Sequence, residues 1–325
     1  MTCVLGIETS CDETGIAVVD DTWRIRSSIV ASQVAVHARF GGVVPEIASR
    51  QHLECISQLM QQALDEADSP EVDAVGATNG PGLMGSLLVG VNFAKALAYA
   101  WRKPFIPVHH IEGHIFSSFL DVETPPSFPF LALVVSGGHT CLLWCREPHV
   151  YEQLGATRDD AVGECFDKVA RLLGLPYPGG PSIQKAGEEG DPRAIRFPRG
   201  MVDSDTLEFS YSGLKTAVLY ALRDNDRPVA DVAASFQHAA IDVLVVKTQR
   251  AIRQTGAQRL VLAGGVAANT LLRDRLNSEL DIPVLMPPIR LCADNGAMIA
   301  AAACSRLQHG YTADLGTTPS PSLKL

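Results

Sequence analysis

The chain has 325 residues, 46% of them hydrophobic and 19% charged. That composition excludes a disordered or fibrous protein, and the length suits about two domains of ~150 residues each. Lysine and arginine number 27 against 36 aspartates and glutamates, a formal charge of −9, which excludes a general polyanion-binding surface. Contact with RNA therefore has to be local or shared with another subunit.

The segment Met1–Glu8 lacks the basic and long apolar regions of a secretory signal. No unbroken apolar run approaches the ~18 residues of a membrane span. The eight cysteines, Cys3, Cys11, Cys55, Cys141, Cys145, Cys165, Cys292 and Cys304, contain no CxxC pair and read as reduced, small buried hydrophobes. A cytoplasmic location without membrane contact is the expectation.

Val4 to Ile7 is apolar, Glu8 to Thr14 is polar and turn-rich, and Gly15 to Val19 is apolar and β-branched, a pattern that predicts a β-hairpin. Ala74 to Thr78 reads as a buried strand, Asn79 to Gly82 as a turn, Leu83 to Ala100 as a helix, and Pro104 to Val108 as a strand entering His109-His-Ile-Glu-Gly-His114. The proline-rich stretch 123–129 reads as a joint. Beyond it, the strands Phe130 to Val135 and Cys141 to Trp144 flank Ser136-Gly-Gly-His-Thr140, a second hairpin half a chain from the first. Arg259 to Leu262 is a strand, Ala263 to Gly265 a tight turn, and Asn269 to Leu280 a helix with Asn269 as its cap. Strands alternating with helices give an α/β class. Two hairpin-led halves predict two related lobes, 1–128 and 129–325, with the C-terminal helix left free to return to the first.

His110 and His114 are four apart, so on a helix their side chains lie ~40° apart on one face and can share one ion; ordinary packing is the alternative. A third ligand is required, and Asp294, His139 and Asp167 are the candidates. In the zincin motif a glutamate follows the first histidine, whereas here Ile111 stands there and Glu112 points ~200° away from His110, so a protease reading loses its base. Asp294, before the Ala-rich stretch Ala297 to Cys304, reads either as a helix cap or as a ligand carried across from the second lobe. Ser136-Gly-Gly138 and Ala263-Gly-Gly265 supply backbone N–H groups for an anion. Together with the hydroxyl-rich turn Thr9-Ser-Cys-Asp12, they resemble the phosphate and adenosine loops of the actin, sugar-kinase and heat-shock ATPase fold.

Ten ordered blocks resemble one family, the tRNA N6-adenosine threonylcarbamoyltransferases, formerly described as O-sialoglycoprotein endopeptidases. They are Gly6 to Thr14, Gly41 to Glu46 with Ala48 to Arg50, Gly80 to Gly82, His110 to His114, Ser136 to Thr140, Gly163 to Lys168, Tyr177 to Pro181, Ser212 to Thr216, Ala263 to Asn269 and Asp294 to Met298. Cys165, Ala293 and Thr270 depart slightly from the common pattern.

The resemblance implies a two-lobed actin-like fold in which His110, His114 and Asp294 hold one metal ion, iron(II) favoured over zinc. A magnesium ion alongside the nucleotide is a further expectation. Val134, Val135, Ser136, Gly137, Gly138, Asp167, Gly180 and Asn269 are implied as the donor site. The implied reaction moves threonylcarbamoyl from threonylcarbamoyl-adenylate to N6 of adenosine 37 in tRNAs that read codons beginning with A, giving t6A and AMP. Asp12 and Asp167 are the candidates for orienting the donor or taking a proton. A paralogous actin-like subunit and a small P-loop ATPase are the implied partners. A metal-dependent glycoprotease, an ATPase or sugar kinase of the same fold, and a non-catalytic scaffold paralogue are the rivals, the last of which should lack the metal ligands.

Overall fold

The structure, a computed structural model, describes residues 2–224 and 227–325. The chain forms two compact units, Met1–Pro126 with Pro287–Leu325, and Ser127–Met286. The first crossing falls inside the expected joint. The second falls at residue 287, so 287–325, including the C-terminal helix that the sequence reading left free to return to the first lobe, lies with the first unit.

The first unit carries β1 (Cys3–Glu8), β2 (Glu13–Asp20), β3 (Ile25–Ser32), α1 (Val34–His37), α2 (Pro45–Glu66), β4 (Ala74–Gly80), α3 (Met84–Trp101), β5 (Phe105–His109) and α4 (His110–Phe116). The second carries β6 (Phe130–Val135), β7 (Thr140–Glu147), β8 (Val150–Ala156), α5 (Val162–Leu172), α6 (Gly179–Ala186), α7 (Ser212–Asp224), α8 (Val229–Thr255), β9 (Leu260–Ala263), α9 (Thr270–Glu279) and β10 (Val284–Leu285). The chain then closes with α10 (Gly296–Gln308) in the first unit.

The sheets repeat one plan, β3-β2-β1-β4-β5 in the first unit and β8-β7-β6-β9-β10 in the second. In each, the hairpin strands pair antiparallel and the next two strands add in parallel. The expectation of two related, hairpin-led halves thus has its counterpart in strand order and sense.

In the first sheet the side-chain period of two sorts residues by face. Leu5, Ile7, Ile16, Val18, Val75 and Ala77 join a core with Ile56 of α2 and Val91 and Ala94 of α3. Gly6, Gly15 and Gly76 face α10 instead: a Cβ on Gly6 would overlap the Ala300 backbone, one on Gly15 would lie 2.5 Å from Gly296 N, and one on Gly76 2.5 Å from Ala303 Cβ. The helix laid in this glycine groove is alanine-rich, with Ala297 to Ala303 buried. Its first turn therefore lies beside the β1–β2 turn.

Among the described residues α8 alone has the length and composition to cross a membrane, yet 67% of its most apolar stretch is buried inside the protein. All eight cysteines are free thiols, six of them buried.

Candidate active site

In each unit the parallel strands end on one edge, where open α/β sheets bind ligands. In the first unit that edge gathers the turn after β1, the Gly80–Gly82 turn after β4, and α4 after β5. Leu83 donates its N–H to the Ser10 carbonyl at 2.8 Å, so the turn after β4 backs the turn after β1.

α4 starts at His109, whose Nδ1 accepts the Ile111 N–H at 3.2 Å. Its Nε2 is left to donate to the Leu323 carbonyl at 3.2 Å. Burial pushes His109 down to about 4, against the pull of that carbonyl, so the ring is a neutral capping group.

His110 and His114 project from α4 toward Asp294, and one ligand atom from each of the three lies within 4.8 Å of the others. Asp294 Oδ1 is 3.2 Å from His114 Nε2 and 3.7 Å from His110 Nε2. Asp294 is not the helix cap. That place belongs to Asn295, whose Oδ1 accepts the Met298 N–H at 2.9 Å. Nor does Asp294 come from the other half of the fold, because it precedes α10 in the same unit as the histidines. The expected lobe-bridging carboxylate is therefore corrected.

A residue that sequence reasoning missed completes the arrangement. Glu8 is fully buried at the end of β1, with Oε2 3.1 Å from His110 Nδ1 and accepting from Thr78 Oγ1 at 2.7 Å. Its Oε1 accepts the Ser10 N–H, and Ser10 Oγ lies 3.2 Å from the same Nδ1. A carboxylate on the far nitrogen fixes the ring and directs Nε2 toward the ligand position, as outer partners of metal-bound histidines do. The available signal was a carboxylate ending an otherwise apolar strand.

The residues fit a cation. His114 is fully buried, and among the described residues neither ring nitrogen has a hydrogen-bond partner, although Nε2 faces a carboxylate oxygen at 3.2 Å. An orphaned buried nitrogen is costly, and a cation shared with Asp294 and His110 would satisfy it. Two imidazoles and one carboxylate are a donor set suited to iron(II) or zinc. Burial lowers the pKa of His110, but Asp294 and then Glu8 outweigh it and raise the group to about 9, so this pocket selects for positive charge.

The first turn also brings carboxylates together. Asp12 is buried there, and burial, then the charges of Asp12 and Asp294, push Glu13 up to about 9. Its carboxyl is thereby held toward the protonated form, a feature invisible in the sequence. Burial and the same charges raise the Cys11 thiol, so it is no thiolate. Glu112 turns away from the histidines as its helical angle predicts: its carboxylate is fully buried and accepts from Arg306 Nε at 2.6 Å.

The other expected residues belong to the second unit. Val134 and Val135 are fully buried inside β6, so they carry the glycine turn and present no surface of their own. Ser136 closes that turn, its N–H donating to the His139 carbonyl at 2.8 Å and its Oγ accepting the His139 N–H at 3.1 Å. A Cβ on Gly137 or Gly138 would meet no protein atom within 4 Å. Gly163, at the start of α5, packs on the turn so closely that its Cβ would sit 2.6 Å from Ser136 O.

One helical turn on, Asp167 Oδ1 accepts the Gly179 N–H at 2.7 Å and fixes the start of α6, where Gly180 opens to free space. Gly264, at φ +94°, passes directly over the Val135 carbonyl, which puts the two glycine turns side by side at the ends of β6 and β9. Asn269 caps α9 through Leu272 N–H at 3.0 Å and donates to Gln237 Oε1 at 2.8 Å. Arg199 is engaged with Asp242 at 2.6 and 2.9 Å.

The family model described as tRNA N6-adenosine threonylcarbamoyltransferase (TsaD) matches residues 24–301. The enzyme of that name from Anaeromyxobacter dehalogenans is 50% identical, with 100% of both chains covered. That from Moorella thermoacetica is 52% identical over 100% of this chain and 97% of its own. Among solved structures, full-length HypF in its phosphate- and nucleotide-bound form aligns with a TM-score of 0.63 at 13% identity, over 95% of this chain and 46% of that one. The ROK hexokinase of Thermus thermophilus aligns at 0.52 and 13%, over 95% and 99%. These distant likenesses establish the actin-like and sugar-kinase fold alone. With half of its residues identical over the full length of such relatives, the chain belongs to the tRNA N6-adenosine threonylcarbamoyltransferase family.

Proposed function

We propose that this chain transfers the threonylcarbamoyl group from threonylcarbamoyl-adenylate to N6 of adenosine 37 in tRNAs that read codons beginning with A, releasing AMP. One observation carries the reading beyond the family name: a buried His114, its Nε2 facing Asp294 at 3.2 Å, converges with His110 on that carboxylate, and Glu8 supports the set from behind. We assign His110, His114 and Asp294 as ligands of one ion, iron(II) before zinc. When bound, such an ion supplies a Lewis acid and a template for the donor.

The donor is a mixed anhydride of a carbamate and AMP. The adenine amine adds to its carbonyl carbon, the bond from that carbon to the phosphate oxygen breaks, and the amine gives up a proton. Gly137 and Gly138 offer their N–H groups to the AMP phosphate. Gly180 and the turn at Gly264 and Gly265 leave room for the rest of the nucleotide, Asn269 holds that edge, and Ser136 shapes the turn. A magnesium ion with the nucleotide belongs to the same reading. Asp12, buried in the turn after β1, is assigned as the proton acceptor; Asp167, committed to Gly179, is assigned as a positioning group. Glu112, held by Arg306, is not available to activate water, which speaks against the glycoprotease alternative.

The charge of −9 supports tRNA binding shared with partners, here a paralogous actin-like subunit and a small P-loop ATPase, in the cytoplasm. The test supplies the purified chain and these partners with tRNA, labelled threonine and the enzyme that makes the adenylate. Label in t6A at adenosine 37 is the expected result. ATP turnover without label in tRNA, or cleavage of a sialoglycoprotein, would replace this reading with one of its rivals.

A further inference from the structure

α10 grips α4 at three points. At its start, Asp294 meets His114 and His110 and Asn295 caps the helix. One turn on, Gly113 lies against it so tightly that a Cβ would be 2.7 Å from Ile299 Cδ1 and 3.3 Å from Met298 Cγ. Near its end, Arg306 Nε reaches back 2.6 Å to Glu112, a carboxylate with no solvent exposure. Arg306 follows Asp294 by 12 residues, about 18 Å of helix. Glu112 lies between the two histidines in sequence and on the opposite side of α4.

We propose that the ion pair between the buried Glu112 and the half-buried Arg306 is a spacing device for the metal ligands: it fixes the rotation of α4 and its position along α10, and so the distances from both imidazoles to Asp294. The physical reason is leverage. α4 has only seven residues, too few to hold its own orientation. Gly113 offers no side chain to resist sliding. A point contact there permits rotation about the contact, and a second contact on the far face removes it. The Glu112 carboxylate has no solvent exposure, so moving it off Arg306 gives up a 2.6 Å charged contact with no water to replace it, and the second contact is stiff. Glu112 and Arg306 are positioning residues on this account, acting through the histidines. The inference rests on the assignment of His110, His114 and Asp294 as ligands.

Cobalt(II) titration of the purified chain, read from its visible absorption, tests the device without the transfer reaction. Glu112→Gln and Arg306→Gln are expected to weaken cobalt binding by about 10-fold or more, the range of outer partners of metal ligands, and to change the band shape. Arg306→Lys keeps a cation in reach and should recover most of the affinity. Val91→Ala, in the core under α3, serves as the destabilised control and should lower the melting temperature while leaving the affinity alone. Glu112→Gln and Arg306→Gln binding cobalt within about twofold of the parent would overturn the proposal, as would Arg306→Lys behaving like Arg306→Gln. His114→Ala separates the two levels: if it binds cobalt as the parent does, the metal site itself is wrong and the spacing device falls with it.

Discussion

Gly137 and Gly163 touch, and the structure gives them opposite roles. A Cβ on Gly137 meets no protein atom within 4 Å, so Gly137→Val leaves the unit folded and places methyl groups where a phosphate would approach the backbone. Losing one hydrogen bond to a charged group costs about 1.5–3 kcal/mol, which corresponds to roughly 10- to 100-fold weaker binding of the adenylate. On Gly163, by contrast, a Cβ would lie 2.6 Å from Ser136 O and 2.9 Å from Gly137 N. Overpacking of that kind costs about 1–3 kcal/mol. At about 2–4 °C per kcal/mol for a unit of this size, Gly163→Ala should melt lower by roughly 2–12 °C. Calorimetric melting paired with isothermal titration of AMP reads both. The reasoning is refuted if Gly137→Val melts as low as Gly163→Ala, or if it binds AMP like the parent.

Gly264→Ala should destabilise by about 1–3 kcal/mol in the same melting experiment, because its φ of +94° is strained for alanine and its methyl would overlap the Val135 carbonyl. Asn295→Ala removes the cap of α10 at a cost of about 1 kcal/mol, and its melting point should drop by a few degrees while stoichiometric metal content at saturating ion is kept. In the ion-free chain the folded-state pKa of His110, about 9, lies above the ordinary value near 6.5. Its stabilisation is complete below about pH 6.5 and is lost as pH rises toward 9. Melting of the metal-free chain should therefore fall across that window, and His110→Asn should flatten the slope.

The hairpins were legible because apolar strands and turn residues alternate in plain view, and Asn269 was legible as a cap because that role is local. Helical spacing showed that the two histidines share one face, and the family resemblance supplied their expected role as ligands. Glu8 was missed, since a carboxylate ending an apolar strand was its one local signal and its partner His110 stands 102 residues away. Asp294 was assigned to the wrong half because sequence position stood in for place in the fold. The clue to its true home was the combination of Gly6, Gly15 and Gly76 inside strands with an alanine-rich helix, a close-packed groove and the element that fills it. Val134 and Val135, which the resemblance implied as donor contacts, lie fully buried in β6 directly before the glycine turn, and burial of that kind is not readable from the motif.

The central claim is that the set His110, His114 and Asp294 is the centre of threonylcarbamoyl transfer. The most direct test is the rate at which Asp294→Ala forms t6A in tRNA, with its partners and saturating adenylate, beside the parent chain. Because Asn295 and not Asp294 caps α10, the variant should stay folded while the rate falls by about 100-fold or more, the order of effect lost with one preorganised electrostatic group. An Asp294→Ala chain that modifies tRNA at the parent's rate would contradict the account.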